Sequence, residues 1–336
     1  MPQPTPKPSL IELGLKARKP LIIGIGGGGD IIQGIPVARL LRQLGAEEIW
    51  MGGTACQWWT PDGKPLAEDW GTAVMGPTLY AMDDLAEAER LGPQVARVTT
   101  ASHVTGRHPC EAHLADSLPA DQVVVFGLRG GVQGYAEGIQ TLIDDHGIDL
   151  VIGVDIGSDT FANFKEAAPA KTSMVDFMSV GAIMQQAVPT VYGVSGYGCD
   201  GEMELRELDE RVGTVMRAGG YIGAHGLTQA DVAAMATASE VYPDPVEPMS
   251  FLAAQGKLGL NNVWTHGPHG TVVDVTPLAA VMLFFDPTIL AESNSRGILA
   301  LKDTHDLSEV ESVYVNQLKQ YPESRLAPVI KFFEAL

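Results

Sequence analysis

The chain has 336 residues, 45% of them hydrophobic and 19% charged, with 41 Asp and Glu against 22 Lys and Arg and a net charge of −19. Such a length and apolar content support a core that hides ~75% of the unfolded surface, which excludes a mainly disordered chain. The acidic balance excludes a basic groove for phosphate backbones, so nucleic acid is not an expected partner.

Met1–Pro8 is Pro-rich and polar, with neither an apolar core nor an Arg-rich amphipathic stretch, and residues 1–19 read as an N-terminal extension. The apolar run Ala279–Phe285 stops at Asp286 and Pro287, well short of the ~20 residues of a membrane span. Cys56, Cys110 and Cys199 are odd in number and widely spaced, which gives no disulfide framework. A cytoplasmic protein without a membrane partner is predicted.

From Pro20 onward, short β-branched runs alternate with helical patterns. Leu21–Ile25 leads into Gly26–Gly29 and a helix over Ile31–Leu44. A second strand over Glu48–Met51 ends in Gly52, Gly53 and Thr54; Val123–Phe126 is followed by Gly127, Gly130 and Gly131, then a helix over Tyr135–His146. Leu150–Val154 leads into Asp155–Gly157, and Thr190–Val194 into SGYGCDGE. Thr271–Val275 reads as a further strand, and Asp306–Leu318 as a helix with Ser308 and Glu311 as its capping box. Continuous apolar strands between amphipathic helices predict an α/β fold: an open, mostly parallel, Rossmann-like sheet with helices on both faces and a small C-terminal appendage. Residues 20–336 are expected to form one domain, with a subdomain boundary near 242–248, where YPDPVEP carries three prolines.

Glycines at 24, 26 and 29 match G-x-G-x-x-G after a strand and before a helix, where backbone N–H groups receive an anion. A dinucleotide site also needs an acid at the end of the second strand, and Glu47 and Glu48 lie at its wrong end, so NAD(P) is the weaker alternative. Gly26, Gly27, Gly28 and Gly29 are instead expected to cradle a phosphate, although a tight packing turn explains the same glycines. No Gly-Lys-Ser/Thr follows, so this is not a P-loop.

Two further strand ends are acidic: Asp155 and Asp159 around Gly157, and Asp200 and Glu202 after Gly198. In an open parallel sheet these loops face the same crevice as Asp30. Five carboxylates there need compensation by a hard cation, an amine or sugar hydroxyls. Oxygen-only donors suit Mg²⁺ or Mn²⁺, with Asp30, Asp155 and Asp159 as ligands and Asp200 and Glu202 as acid and base. Trp58, Trp59, Ser158, Tyr197 and Cys199 are the expected pocket residues. Acidic neighbours raise a thiol's pKa, which argues against Cys199 as a nucleophile. His103, His108, Cys110 and His113 match no closed zinc spacing and read as a loop entering a helix. His225, His266 and His269 sit in turn-like contexts. Asp176 lies within a capping pattern, Ser173 to Asp176, and is left out of the catalytic set.

The ordered motifs GIGGGGD, VDIGSD, SGYGCDGE and GGYIGAHG resemble the domain of unknown function 1152 family, found in archaea and actinobacteria, from about Pro20 to the C-terminal helices. The family's middle motif carries a second glycine where Ser158 stands here. Its Trp-Glu-Arg is matched by Trp58 but replaced by Trp59 and Thr60, and its Asp-Pro and Pro-Gly-Pro turn is altered. A divergent member with a more apolar pocket is implied; the resemblance implies no activity. The expected function is a metal-dependent enzyme for a phosphate- or diphosphate-bearing small molecule. A NAD(P) oxidoreductase, a metal-free hydrolase or lyase for a sugar or amine, and a non-catalytic nucleotide-binding regulator are the alternatives. A homo-oligomer is the default expectation for such an enzyme.

Overall fold

The computed structural model describes residues 7–59, 78–165, 170, 172–242, 246–263 and 271–325. Among these, nine strands make one mixed sheet: β1 (Pro20–Gly24), β2 (Trp50–Thr54), β3 (Glu89–Gly92), β4 (Val95–Arg97), β5 (Gln122–Phe126), β6 (Leu150–Ile156), β7 (Thr190–Ser195), β8 (Tyr221–Gly226) and β9 (Val281–Phe285), in the spatial order β8-β9-β7-β6-β1-β2-β5-β4-β3. The five central strands, from β7 to β5, are parallel, and the flanking pairs are antiparallel. The chain therefore builds outward from β1 through β2 to β5, then returns to the other side of β1 with β6. That reversal opens a crevice at the carboxyl ends of β1 and β6.

Alternation along each strand sends side chains to two cores. Leu21, Ile23, Val124, Phe126 and Val151 pack on one face; Ile22, Val123, Val125, Ile152 and Val154 pack on the other. The helices are α1 (Leu10–Gly14), α2 (Ile35–Leu44), α3 (Cys110–Leu114), α4 (Gly131–His146), α5 (Ser173–Ile183), α6 (Leu205–Arg217), α7 (Gln229–Val241), α8 (Pro248–Ala254), α9 (Pro287–Ser293), α10 (Arg296–Leu301) and α11 (Leu307–Asn316). Side chains of α4, α5, α6, α9, α10 and α11 fill the first core, and those of α1, α2, α3 and α7 the second.

Several sequence boundaries move for physical reasons. The first helix of the pattern splits into a 3₁₀ turn, Asp30–Gly34, and then α2, which ends at Gly45 in the left-handed conformation (φ +106°). Gly52–Thr54 belong to β2 rather than to a following loop, and a Cβ at Gly52 would sit 2.9 Å from the Val124 carbonyl oxygen on β5. Helix α11 is capped by Asp306, which accepts from the Glu309 N–H; Ser308 is not its cap. From Ser9 on, the expected extension is part of the fold, since α1 packs on α2 and buries Leu10 and Gly14. Helices α7 and α8 pack together across the proposed boundary at 242–248, of which 243–245 lie outside the described residues. The C-terminal third is knitted into the sheet by β9. No helix among the described residues is long and apolar enough to cross a membrane.

Candidate functional site

Asp30 opens the 3₁₀ turn after β1, and Asp155 is the penultimate residue of β6. Asp159 follows Gly157 (φ +120°), a conformation that glycine takes without strain, and Asp200 lies in the turn after β7. All four converge at the reversal point of the sheet. Asp30, Asp155 and Asp159 are buried, while Asp200 and Glu202 are half-buried at the rim. Glu202 donates its backbone N–H to Asp200 Oδ1.

Three more acids arrive from parts of the chain where strand-end reasoning does not look. Asp176 is 2% exposed in the first turns of α5; Glu247 precedes α8; Glu323 sits in a 3₁₀ turn, Glu323–Arg325, beyond α11. The sequence reading left Asp176 out of the catalytic set as part of a capping pattern, and the structure buries it beside Asp30 and Asp155. Ser173 lies inside the helix, and Asp176 points into the crevice. Carboxylate oxygens of Asp30, Asp155 and Asp176 all lie within 4.8 Å of one another. This group shares Asp30 and Asp155 with the cation set expected from sequence, Asp30, Asp155 and Asp159. Asp159 stands alongside, accepting from Thr172 Oγ1 at 3.2 Å.

Hydrogen bonds order this set without neutralising it. Asp155 Oδ2 accepts from Thr160 Oγ1 at 2.7 Å and from the Tyr192 hydroxyl at 3.0 Å. Asp200 is gripped by Ser158, whose N–H and hydroxyl both donate to it at 2.8–3.0 Å. Asp30 Oδ2 accepts from the Gly26 N–H. Asp176 Oδ1 is buried with no hydrogen-bond partner. Among the described residues, no Lys or Arg forms an ion pair with Asp30, Asp155, Asp159, Asp176 or Asp200. Burial therefore lifts every one of these carboxyls. Asp155 rises to about 6, with Asp200 adding to the effect and Thr160 opposing it. Asp30, beside Glu247 and Asp155, Asp159, beside Asp176, and Asp176, beside Asp155 and Asp30, are likewise raised well above the usual carboxylate range. Asp200 also rises by burial, against the pull of Ser158.

The glycine loop packs closely against the protein around it. The Gly28 N–H donates to the Cys56 carbonyl at 2.9 Å and the Gly26 N–H serves Asp30, so two of its four amides are engaged within the protein. A Cβ at Gly26 would lie 3.0 Å from Asp176 Oδ1, one at Gly27 2.5 Å from the Cys56 carbonyl oxygen, and one at Gly29 2.5 Å from Glu247 Cγ. Glycine is required because carboxylates and backbone press against the loop.

The expected pocket residues separate into two groups. Trp58 is half-buried against Gly28 and Ser158 orients Asp200, so both border the crevice. Trp59 is 2% exposed, stacked on Tyr80 and donating Nε1–H to the His108 carbonyl, which makes it a packing residue. Tyr197 spends its hydroxyl on Asp209 of α6. The Cys199 thiol is buried and pushed up to about 12 by burial and by Asp200, which leaves no thiolate for attack. Thr60, with the turn after it, and His266 and His269 lie outside the described residues. His103, His108 and His113 form an edge-on ring array leading into α3 and join no metal-sized cluster among the described residues. Glu111, which sequence reasoning missed, is buried on α3, accepts from Gln57 Nε2 at 3.1 Å, and is lifted to about 8 by burial.

No curated protein and no solved structure matches this chain. One family does, described as a protein of unknown function (DUF1152), and its match runs over residues 21–325, so the chain belongs to that family.

Proposed function

We propose that this chain is an enzyme for a phosphate- or diphosphate-bearing small molecule, working with a divalent cation, Mg²⁺ or Mn²⁺, held by Asp30, Asp155 and Asp176. The observation that carries the reading is Asp176 Oδ1, buried, unpartnered and within reach of two other buried carboxylates. An orphaned buried acceptor costs about 1–3 kcal/mol, and more if charged, unless something binds it. Three oxygen donors from three separate elements suit a hard cation, and the absence of Cys or His in the set argues against zinc. When bound, the cation would offset the cluster's charge and that of a substrate phosphate. Asp200, held by Ser158 and lifted in pKa, is the group suited to give or take a proton, with Glu202 beside it. Trp58 offers a flat apolar wall to the organic part of the substrate. Such a site suits reactions that break a bond to phosphate: transfer, elimination with cyclisation, or hydrolysis.

A metal-free hydrolase or lyase is the second reading, favoured by the same raised carboxyls, which would share protons in place of a cation. A thermal melt with chelator, Mn²⁺, Mn²⁺ plus pyrophosphate, and NAD(H) separates the readings. At about 100 Kd a native-state ligand adds ~2.7 kcal/mol. The expected result is a rise with Mn²⁺ that Asp155→Asn abolishes. Indifference to Mn²⁺ would reject the cation, and a rise with NAD(H) alone would point to the oxidoreductase.

A further inference from the structure

Beside the end of β2 lies a buried acid that the cation reading leaves unused. Glu111 is 1% exposed on α3, and a Cβ at Gly53 would overlap its Oε1. That oxygen has no hydrogen-bond partner, while Oε2 accepts from Gln57 Nε2 at 3.1 Å. The Gln57 amide is fixed at its other end too, since its Oε1 accepts from the Cys110 N–H at 2.9 Å. No Lys or Arg forms an ion pair with Glu111 among the described residues. A carboxylate there would be a buried charge with one oxygen bare, whereas a neutral acid leaves only one hydroxyl unmet. Glu111 therefore keeps its proton at neutral pH, and burial lifts it to about 8. The titratable groups around it are Cys56, Tyr80 and Tyr135, then Cys110 and His113 on α3 itself, with the rings of His108 and Tyr242 against that of His113. Burial pushes Cys56, Tyr80 and Tyr135 up and His113 down, so none of these four adds a charge between pH 7 and 8.

The segment that carries Gln57 also anchors the glycine loop. The Gly28 N–H donates to the Cys56 carbonyl at 2.9 Å, and a Cβ at Gly27 would lie 2.5 Å from that carbonyl oxygen. The same loop presents the Gly26 N–H to Asp30. A run of contacts thus leads from Glu111 through Gln57 and Cys56 to Gly28, and on to an acid of the crevice. We propose that Glu111 is a positioning residue for the glycine loop: its neutral acid, through Gln57 and Cys56, holds the loop in place, and loss of its proton loosens it. An ionised Glu111 is relieved only when water reaches Oε1, and the groups that close over it are Gly53 and Gln57. Gly53 is fixed in β2 opposite Val125 of β5, whereas Cys56–Gln57 is a two-residue ribbon paired with Thr78–Leu79. The ribbon is the part that yields. In the loosened form Glu111 meets water and titrates near 4, so that form gains about tenfold per pH unit until the native acid has itself ionised.

The test uses the full chain without metal or substrate, so its outcome is separate from that of the cation reading. Hydrogen exchange is followed at single-amide resolution at pH 6.5 and 7.5, each rate being divided by that of an unstructured peptide. In the wild type the Gly28 amide is expected to be at least tenfold less protected than that of Ile152 in β6, which marks a local opening. Over that pH unit its protection is expected to fall about tenfold more than in Glu111→Gln, whose side chain keeps the neutral shape. Gln57→Leu cuts the tie and is expected to lower Gly28 protection at least tenfold already at pH 6.5. The same pH dependence in wild type and Glu111→Gln makes Glu111 a core acid without reach and overturns the proposal. So does a Gly28 amide as protected as Ile152, which would open only with the whole protein. Unchanged Gly28 protection in Gln57→Leu removes the route through Gln57 and overturns it as well.

Discussion

An acid in the first turns of a helix ordinarily faces water and profits from the helix dipole. At position 176 the same residue type is 2% exposed and faces two other buried carboxylates. Neutralising it removes a like charge from the cluster. In chelator, Asp176→Asn is therefore expected to match or exceed the wild type in stability, by about 1 kcal/mol or more, while losing the stabilisation by Mn²⁺. Urea melts with and without Mn²⁺ check this; a loss of several kcal/mol in chelator with Mn²⁺ binding retained would make Asp176 a structural residue. Why Asp30, Asp155, Asp159 and Asp200 were legible in the sequence, and Asp176 was not, follows from chain geometry. The first four stand directly after apolar strands beside glycines, where direction and crevice are set locally. Asp176 is aimed by the rotation of α5 about its own axis, which depends on contacts with α4 and α10. Glu247 and Glu323 arrive through tertiary packing alone. Local pattern carries no trace of it.

Elements were more legible where their core is continuous. The central strands announce themselves as β-branched runs because both faces are buried, whereas β3 is a short edge strand of exposed and half-buried positions and β4, beside it, is only three residues long, too short to show a pattern. Caps show how a one-turn ambiguity is resolved. In D-L-S-E-V-E both Asp306 and Ser308 can cap α11, and the structure selects Asp306, whose Oδ1 accepts from the Glu309 N–H at 2.8 Å and from Ser308 Oγ. Asp306→Ala is expected to cost about 1 kcal/mol, and Ser308→Ala clearly less. Chemical denaturation of the two variants decides; the reverse order would return the cap to Ser308.

For the molecule as a whole, the buried acids couple folding to pH. Asp155 titrates at about 6 and Glu111 at about 8 in the folded protein, while unfolded carboxyls titrate near 4. Between those values the native state binds more protons than the unfolded one, so stability falls as pH rises. Metal-free protein is expected to be most stable near pH 4–5 on this account and to lose on the order of a few kcal/mol by pH 8. Saturating Mn²⁺, which needs the deprotonated carboxylates, should flatten or reverse the trend. Melting temperatures from pH 4.5 to 8.5 in chelator and in Mn²⁺ check both halves; a chelated protein that gains stability with pH would contradict them. The sheet order has a consequence of another kind, in the timing of synthesis. Strand β8 pairs only with β9 among the described strands, and β9 also covers the edge of β7. A nascent chain that has emerged through Gly226 thus carries a finished β7 with a bare edge until Phe285 follows, about sixty residues and roughly 3–12 s later at ordinary elongation rates. For that interval the ribosome-bound protein exposes a sticky strand edge, and any message truncated before codon 281 makes that exposure permanent.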